Sequence, residues 1–239
     1  MSRKWVLVTG GSRGIGAELV RCLSRQYDIV FTWLNNGQEE TQFTGTDWIK
    51  SIQCDGRSEQ QVVATAEQLL REHGSPYAIV HNSGICRDSL HIHQSSDSWQ
   101  QVMDSNLNTV LYWNRILLPA MMLQGEGALL LMSSVSGIKG NPGQSAYAAS
   151  KAALIGMGHS LALELGRFGI TVNCLLPGFI ETDMTAALPG PRKEALRKSI
   201  PLRRFGTAQE VAQTAAFLLS EPARYITAQS IIIDGGMTA

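Results

Sequence analysis

No stretch of this 239-residue chain is apolar for anything near the ~20 residues that cross a bilayer. Its opening residues, MSRKWVLVTGG, place two basic side chains before an apolar run far shorter than a signal peptide's core. The expectation is a cytoplasmic protein with no membrane insertion. Excess charge is lacking too: 20 Lys+Arg balance 20 Asp+Glu, which leaves no global field for nucleic acid or an anionic lipid surface. Cysteine is scarce. Cys22, Cys54, Cys86 and Cys174 fall far apart, with no CxxC pair and no histidine at metal-ligand spacing, so they read as small buried apolar residues and not as disulfides or a zinc site. His91 and His93 lack a third ligand and read as a polar loop; no metal is expected. Low-complexity linkers and internal repeats are missing as well, and a chain of this length, 44% hydrophobic, reads as one domain over 1–239.

What the chain does contain is a rhythm. Short apolar runs, WVLV, IVFTW, WIKSI, YAIVH, ALLLMSS, TVNCLLP and SIIID, alternate with longer helical patterns. That alternation implies an α/β fold: a doubly wound parallel sheet of the Rossmann type, about seven strands with helices on both faces. Ligands in such sheets bind beyond the carboxyl ends of the strands. One segment breaks the rhythm. Between the last two strands, from Pro177 to Phe205, come Pro189, Gly190, Pro191 and Pro201 and a basic patch of Arg192, Lys193, Arg197 and Lys198, and residues 183–205 are expected to form a substrate lid. Met184 in that lid has a flexible thioether suited to lining an acyl pocket.

After the first strand, TGGSRGIG leads into a helical pattern. Glycines at 10, 14 and 16 let the backbone turn sharply and approach a pyrophosphate seated at the helix's positive end. The spacing is GxxxGxG. A dinucleotide is therefore expected on Gly10, Ser12, Arg13, Gly14, Ile15 and Gly16. An acidic residue at the end of the second strand would select NAD through the ribose hydroxyls, yet IVFTWLNNGQ has no carboxylate and puts Trp33 near that position. Arg13 would instead meet a 2′-phosphate, so NADP(H) is the expected cofactor.

Tyr147 and Lys151 in SAYAASK stand four residues apart, on one face of a helix that the intervening alanines favour. Alone, that pair reads as an ordinary surface feature.

Taken in order, TGGSRGIG, HNSG (81–84), SNLN (105–108), the serines at 133 and 134, YAASK and PGFIETDM (177–184) resemble the short-chain dehydrogenase/reductase family over essentially the whole chain. Within it, NSGICRDSL, NPGQSAYAASKAALIGM and IIIDGGM are most similar to bacterial 3-oxoacyl-(acyl-carrier-protein) reductases. The resemblance implies Tyr147 as general acid to a carbonyl oxygen and Lys151 as the ammonium that holds the nicotinamide ribose and draws the phenol's pKa down. It makes Ser134, in preference to Ser133 or Ser136, the hydrogen-bond donor to the carbonyl, and Asn106 the holder of a relay water. Asp55 would accept from the adenine amino group, Asn82 and Gly84 would line the adenosine, and Ile180 and Thr182 would meet the nicotinamide carboxamide or the phosphates. His81, Ser83 and Gly56 depart from the family's usual residues.

The implied reaction is NADPH-dependent reduction of a 3-oxoacyl thioester on an acyl carrier protein or CoA to the (3R)-hydroxyacyl product, in fatty-acid, polyketide or aryl polyene synthesis. The positions expected to dock the carrier are Gly125 and Phe168, neither basic; Arg167 and the lid patch with Arg203 and Arg204 are the substitutes in view. A homotetramer, or pairing with a related subunit, is implied as well. A reductase of another small ketone or alcohol, and an NADP(H)-binding pseudoenzyme or partner subunit, stay open at this point, although the intact Asn106, Ser134, Tyr147 and Lys151 set speaks against the last.

Overall fold

A computed structural model describes residues 3–35, 48–186 and 189–239 of the chain. The apolar runs become β1 (Trp5–Thr9), β2 (Asp28–Trp33), β3 (Ile49–Gln53), β4 (Ala78–His81), β5 (Gly127–Met132) and β6 (Ile170–Pro177). After the two-residue strands β7 (Ile180–Glu181) and β8 (Gly206–Thr207) comes β9 (Gln229–Ile233). Seven of them form one parallel sheet in the order β3-β2-β1-β4-β5-β6-β9. This is the doubly wound, single-domain α/β architecture of the Rossmann type.

Successive strand residues face opposite ways, so each strand feeds two cores. In β1, Val6 and Val8 pack under α1 (Gly14–Leu23) and α9 (Ala208–Leu218), whereas Trp5 and Leu7 pack under α2 (Glu59–His73), α4 (Thr109–Gln124) and α6 (Ser145–Leu165). Coverage on both sides explains why β5 and β6 are buried at every position.

Three local features position the candidate site. The strand order reverses between β1 and β4, which opens the crevice where Gly10 meets Ser83. Between α3 (Ser96–Met103) and α4 the chain widens into a π-turn, Asp104–Asn108. The excursion after β6 carries α7 (Asp183–Ala186) and α8 (Gly190–Ser199) and is closed at its base by the parallel pairing of β7 with β8. The side chain of Met184 and residues 36–38 of the second-strand segment lie outside the described part.

Candidate active site

At the end of β1 the chain turns into α1 with Gly10 at φ 67° and Gly14 at φ 55°, a region costly for side chains. Gly16 is compulsory for another reason: a Cβ there would stand 2.0 Å from the Gly10 carbonyl oxygen. Arg13, the N-cap, makes no side-chain cap, and the first turn holds no acid. Among the described residues no side chain is recorded on the amides opening α1, at the helix's positive end where an incoming phosphate would bind. Arg13 is exposed beside them. Thr182 stands against this turn, since a Cβ built on Gly14 would lie 3.6 Å from its methyl. Ile180 is buried, leaving its main chain as what it can offer a ligand.

The adenosine-side residues prove busier than expected. Asn82 donates Nδ2 to the carbonyls of Thr9 (3.1 Å) and Gly10 (2.9 Å), bracing the glycine turn from β4. Asp55 is gripped by Arg57, whose Nε lies 2.9 Å from Oδ1 and Nη2 2.6 Å from Oδ2, and whose backbone amide adds a bond to Oδ1 at 3.0 Å. Those bonds hold its carboxyl below the usual range. An adenine amino group would have to share Oδ2 with that fork.

The candidate reacting groups converge from the loop after β5 and from α6. Ser133 Oγ donates to the Lys151 carbonyl at 2.7 Å, and a Cβ on Gly137 would be 2.9 Å from the Ala152 nitrogen, so the loop after β5 presses directly on α6. That contact sorts the three serines. Ser133 pins backbone, Ser136 Oγ bonds Gln144 and Asn141, and Ser134 Oγ, accepting from the Ser136 amide at 3.1 Å and 3.5 Å from the Pro177 carbonyl, is the serine whose hydroxyl acts on the Tyr147 phenol.

Lys151 is buried, its Nζ donating to the Met132 carbonyl at 2.7 Å and lying 5.6 Å from the Tyr147 ring centroid. Desolvation lowers its pKa to about 8. Gly84 gives it room, because a Cβ there would be 3.4 Å from Nζ. Tyr147 corrects an expectation: its phenol is not drawn down but pushed up to about 12, chiefly by burial, with Cys86 and Asp88 adding to the rise and Ser134 opposing it. Burial sets the direction, and at physiological pH the phenol is neutral.

Asn106 sits in the π-turn and spends both amide hydrogens, on the Ile85 carbonyl and Ser150 Oγ (each 3.0 Å), while Oδ1 accepts from the Ile85 amide at 2.8 Å. A relay water is left the second lone pair of Oδ1 and main-chain carbonyls that the widened turn takes out of helical register.

Sequence reasoning missed the wall beside Tyr147. Cys86 Sγ donates to Asp88 Oδ1 at 2.8 Å, and Gln144 Nε2 reaches both the sulfur (3.5 Å) and Asp88 (3.2 Å). Gln144, three residues before the tyrosine, was the available signal. His91 turns away, its Nδ1 3.1 Å from Ser145 Oγ in a short 3₁₀ turn.

A family model described as enoyl-(acyl carrier protein) reductase matches residues 10–238. The 3-oxoacyl-(acyl-carrier-protein) reductase FabG of Staphylococcus aureus is 40% identical, with 98% of each chain covered. Those of Pseudomonas aeruginosa (38%) and Chlamydia muridarum (37%) are aligned over 98% of this chain and 97% of their own.

Proposed function

From its membership of the short-chain dehydrogenase/reductase family, to which this chain belongs, we propose that the protein reduces a 3-oxoacyl thioester, borne on an acyl carrier protein, to the 3-hydroxyacyl thioester. It is an NADP(H)-dependent oxidoreductase. The observation that carries the carbonyl as target is the convergence of the Ser134 hydroxyl, from the loop after β5, and the Tyr147 phenol, from α6, beside the buried Lys151 ammonium 5.6 Å from the phenol ring. Two converging hydroxyls suit one oxygen that gains negative charge.

The residues fit the cofactor: the open α1 N-terminus takes the pyrophosphate, Gly10, Ser12, Gly14, Ile15 and Gly16 shape its seat, and Arg13 meets the 2′-phosphate. Asn82, Gly84 and the free lone pair of Asp55 serve the adenosine side, with Ile180 and Thr182 at the other end. When bound, the nicotinamide supplies the hydride. Ser134 orients the substrate oxygen, and Tyr147, neutral until far above physiological pH, delivers its proton there as charge develops. Lys151 keeps a positive charge beneath the phenol, and Asn106 anchors the route by which the proton is replaced.

The 183–205 excursion closes over the acyl chain. The product feeds fatty-acid synthesis or a polyketide or aryl polyene pathway of the same thioester chemistry. Copies of the chain, or a related subunit, pair across α4 and α6, where Leu111, Leu118, Met157 and Leu161 line a shallow cleft of about 250 Å³.

NADPH consumption is to be followed with acetoacetyl, crotonyl and simple ketone substrates, the thioesters on carrier protein. Turnover of the acetoacetyl thioester with NADPH in preference to NADH is expected. Reduction of crotonyl thioester or ketones alone would refute the assignment.

A further inference from the structure

Gly125 and Phe168, the positions expected to dock the carrier, bring no charge to it. Gly125 ends α4, and Phe168 lies in the 3₁₀ turn after α6, with Arg167 folded over its ring at 4.7 Å. Both precede the amino ends of strands, whereas Ser134 follows the carboxyl end of β5. Within one protomer, Tyr147 lies in the first turn of a helix of 21 residues and Phe168 follows its end, a separation of about 30 Å.

A different surface lies at the catalytic end. α8 carries Arg192, Lys193, Arg197 and Lys198 against Glu194 alone, in a chain of zero formal net charge. Arg197 and Lys198 in its last turn suit the helix dipole. Arg192 and Lys193 oppose it, standing in a first turn that has no acid. Cations placed against the dipole weaken a helix unless an external anion meets them. Among the described residues Arg192 and Lys198 are exposed and pair with no carboxylate, while Arg204 is committed to Glu210 and Arg197 to Glu181. Arg197, Lys198, Glu194 and Arg203 line a concave site of about 420 Å³. Arg203 is held there at φ 57°, a conformation rare for arginine, and its guanidinium caps the Lys198 carbonyl.

The patch is also wired to the cofactor segment. Lys193 and Arg197 lie 5.8 and 5.5 Å from the ring centroid of buried Phe205, which stacks on Phe179 at 5.4 Å. Phe179 directly precedes Ile180.

We infer that the exposed cations of α8 form the docking surface for an acidic face of the carrier protein, which thereby sets the lid from outside. The inference rests on the proposed carrier-borne substrate.

Binding of fluorophore-labelled holo-acyl carrier protein is read by anisotropy for wild type, Arg192→Glu/Lys198→Glu, and a control of equal charge change, Arg25→Glu/Arg71→Glu. Reduction of acetoacetyl groups is measured in parallel on the carrier and on uncharged N-acetylcysteamine. The α8 variant should weaken carrier binding and raise the carrier-substrate KM by about ten-fold or more, a change several-fold larger than any in the small thioester's KM. Equal effects from the control, no effect from α8, or no carrier binding by wild type would each overturn the inference. A wild type that binds the carrier through α8 but reduces neither thioester would instead refute the proposed reaction.

Discussion

Single residues at the heart of this protein are kept uncharged or alone by burial, and that has a measurable signature. His81 at the end of β4 is buried, shares one hydrogen bond between Nε2 and Asn114 Oδ1 (2.8 Å), and has no partner for Nδ1 among the described residues. An amide oxygen only accepts, so Nε2 carries the proton, and protonating Nδ1 would bury a charge with nothing to receive it. Its pKa accordingly falls from 6.5 to about 4. Between those values the unfolded chain binds the extra proton, so stability present above pH 6.5 is lost as pH drops towards 4, by on the order of 3 kcal/mol. Urea midpoints between pH 7.5 and 4.5 should decline steeply in wild type and visibly less in His81→Asn. Parallel declines in the two proteins would show that the histidine is not the titrating group.

Secondary-structure elements divide into those a sequence announces and those it hides. The seven main strands were legible because each is a short apolar run between turn residues, and GxxxGxG was legible because glycine alone satisfies both a positive φ and the close approach at Gly16. β7 and β8 escaped notice at two residues each. The π-turn escaped because DSNLN reads as ordinary helix, its extra residue per turn leaving no compositional trace. The β1–α1 turn provides the test at this scale. Gly16→Ala must displace the Gly10 carbonyl or the Asn82 amide, whose nitrogen would lie 2.7 Å from the new methyl. NADPH titration by fluorescence should show affinity reduced by about ten-fold or more, one hydrogen-bonded seat lost being worth roughly 1.5 kcal/mol. Unaltered affinity would mean the cofactor does not use this turn.

On the scale of the whole molecule, the site exists only because distant segments meet. Gln144 touches Cys86 and Asp88 across more than fifty residues, and Asn106 reaches Ser150 across 44. Residue chemistry alone left Ser133, Ser134 and Ser136 equivalent; family resemblance preferred Ser134, and only the packing of the β5 loop on α6 supplied the physical reason. The sign of the Tyr147 shift was likewise out of reach, because it depends on burial by groups far away in the chain. The most direct test of the central assignment is single-turnover reduction of acetoacetyl carrier protein by wild type and Tyr147→Phe, each saturated with NADPH. Removing the group that the assignment has transfer its proton to the oxygen should slow the chemical step by about 10²-fold or more, with NADPH affinity and melting temperature retained. A variant that reduces the thioester at the wild-type rate would contradict the account.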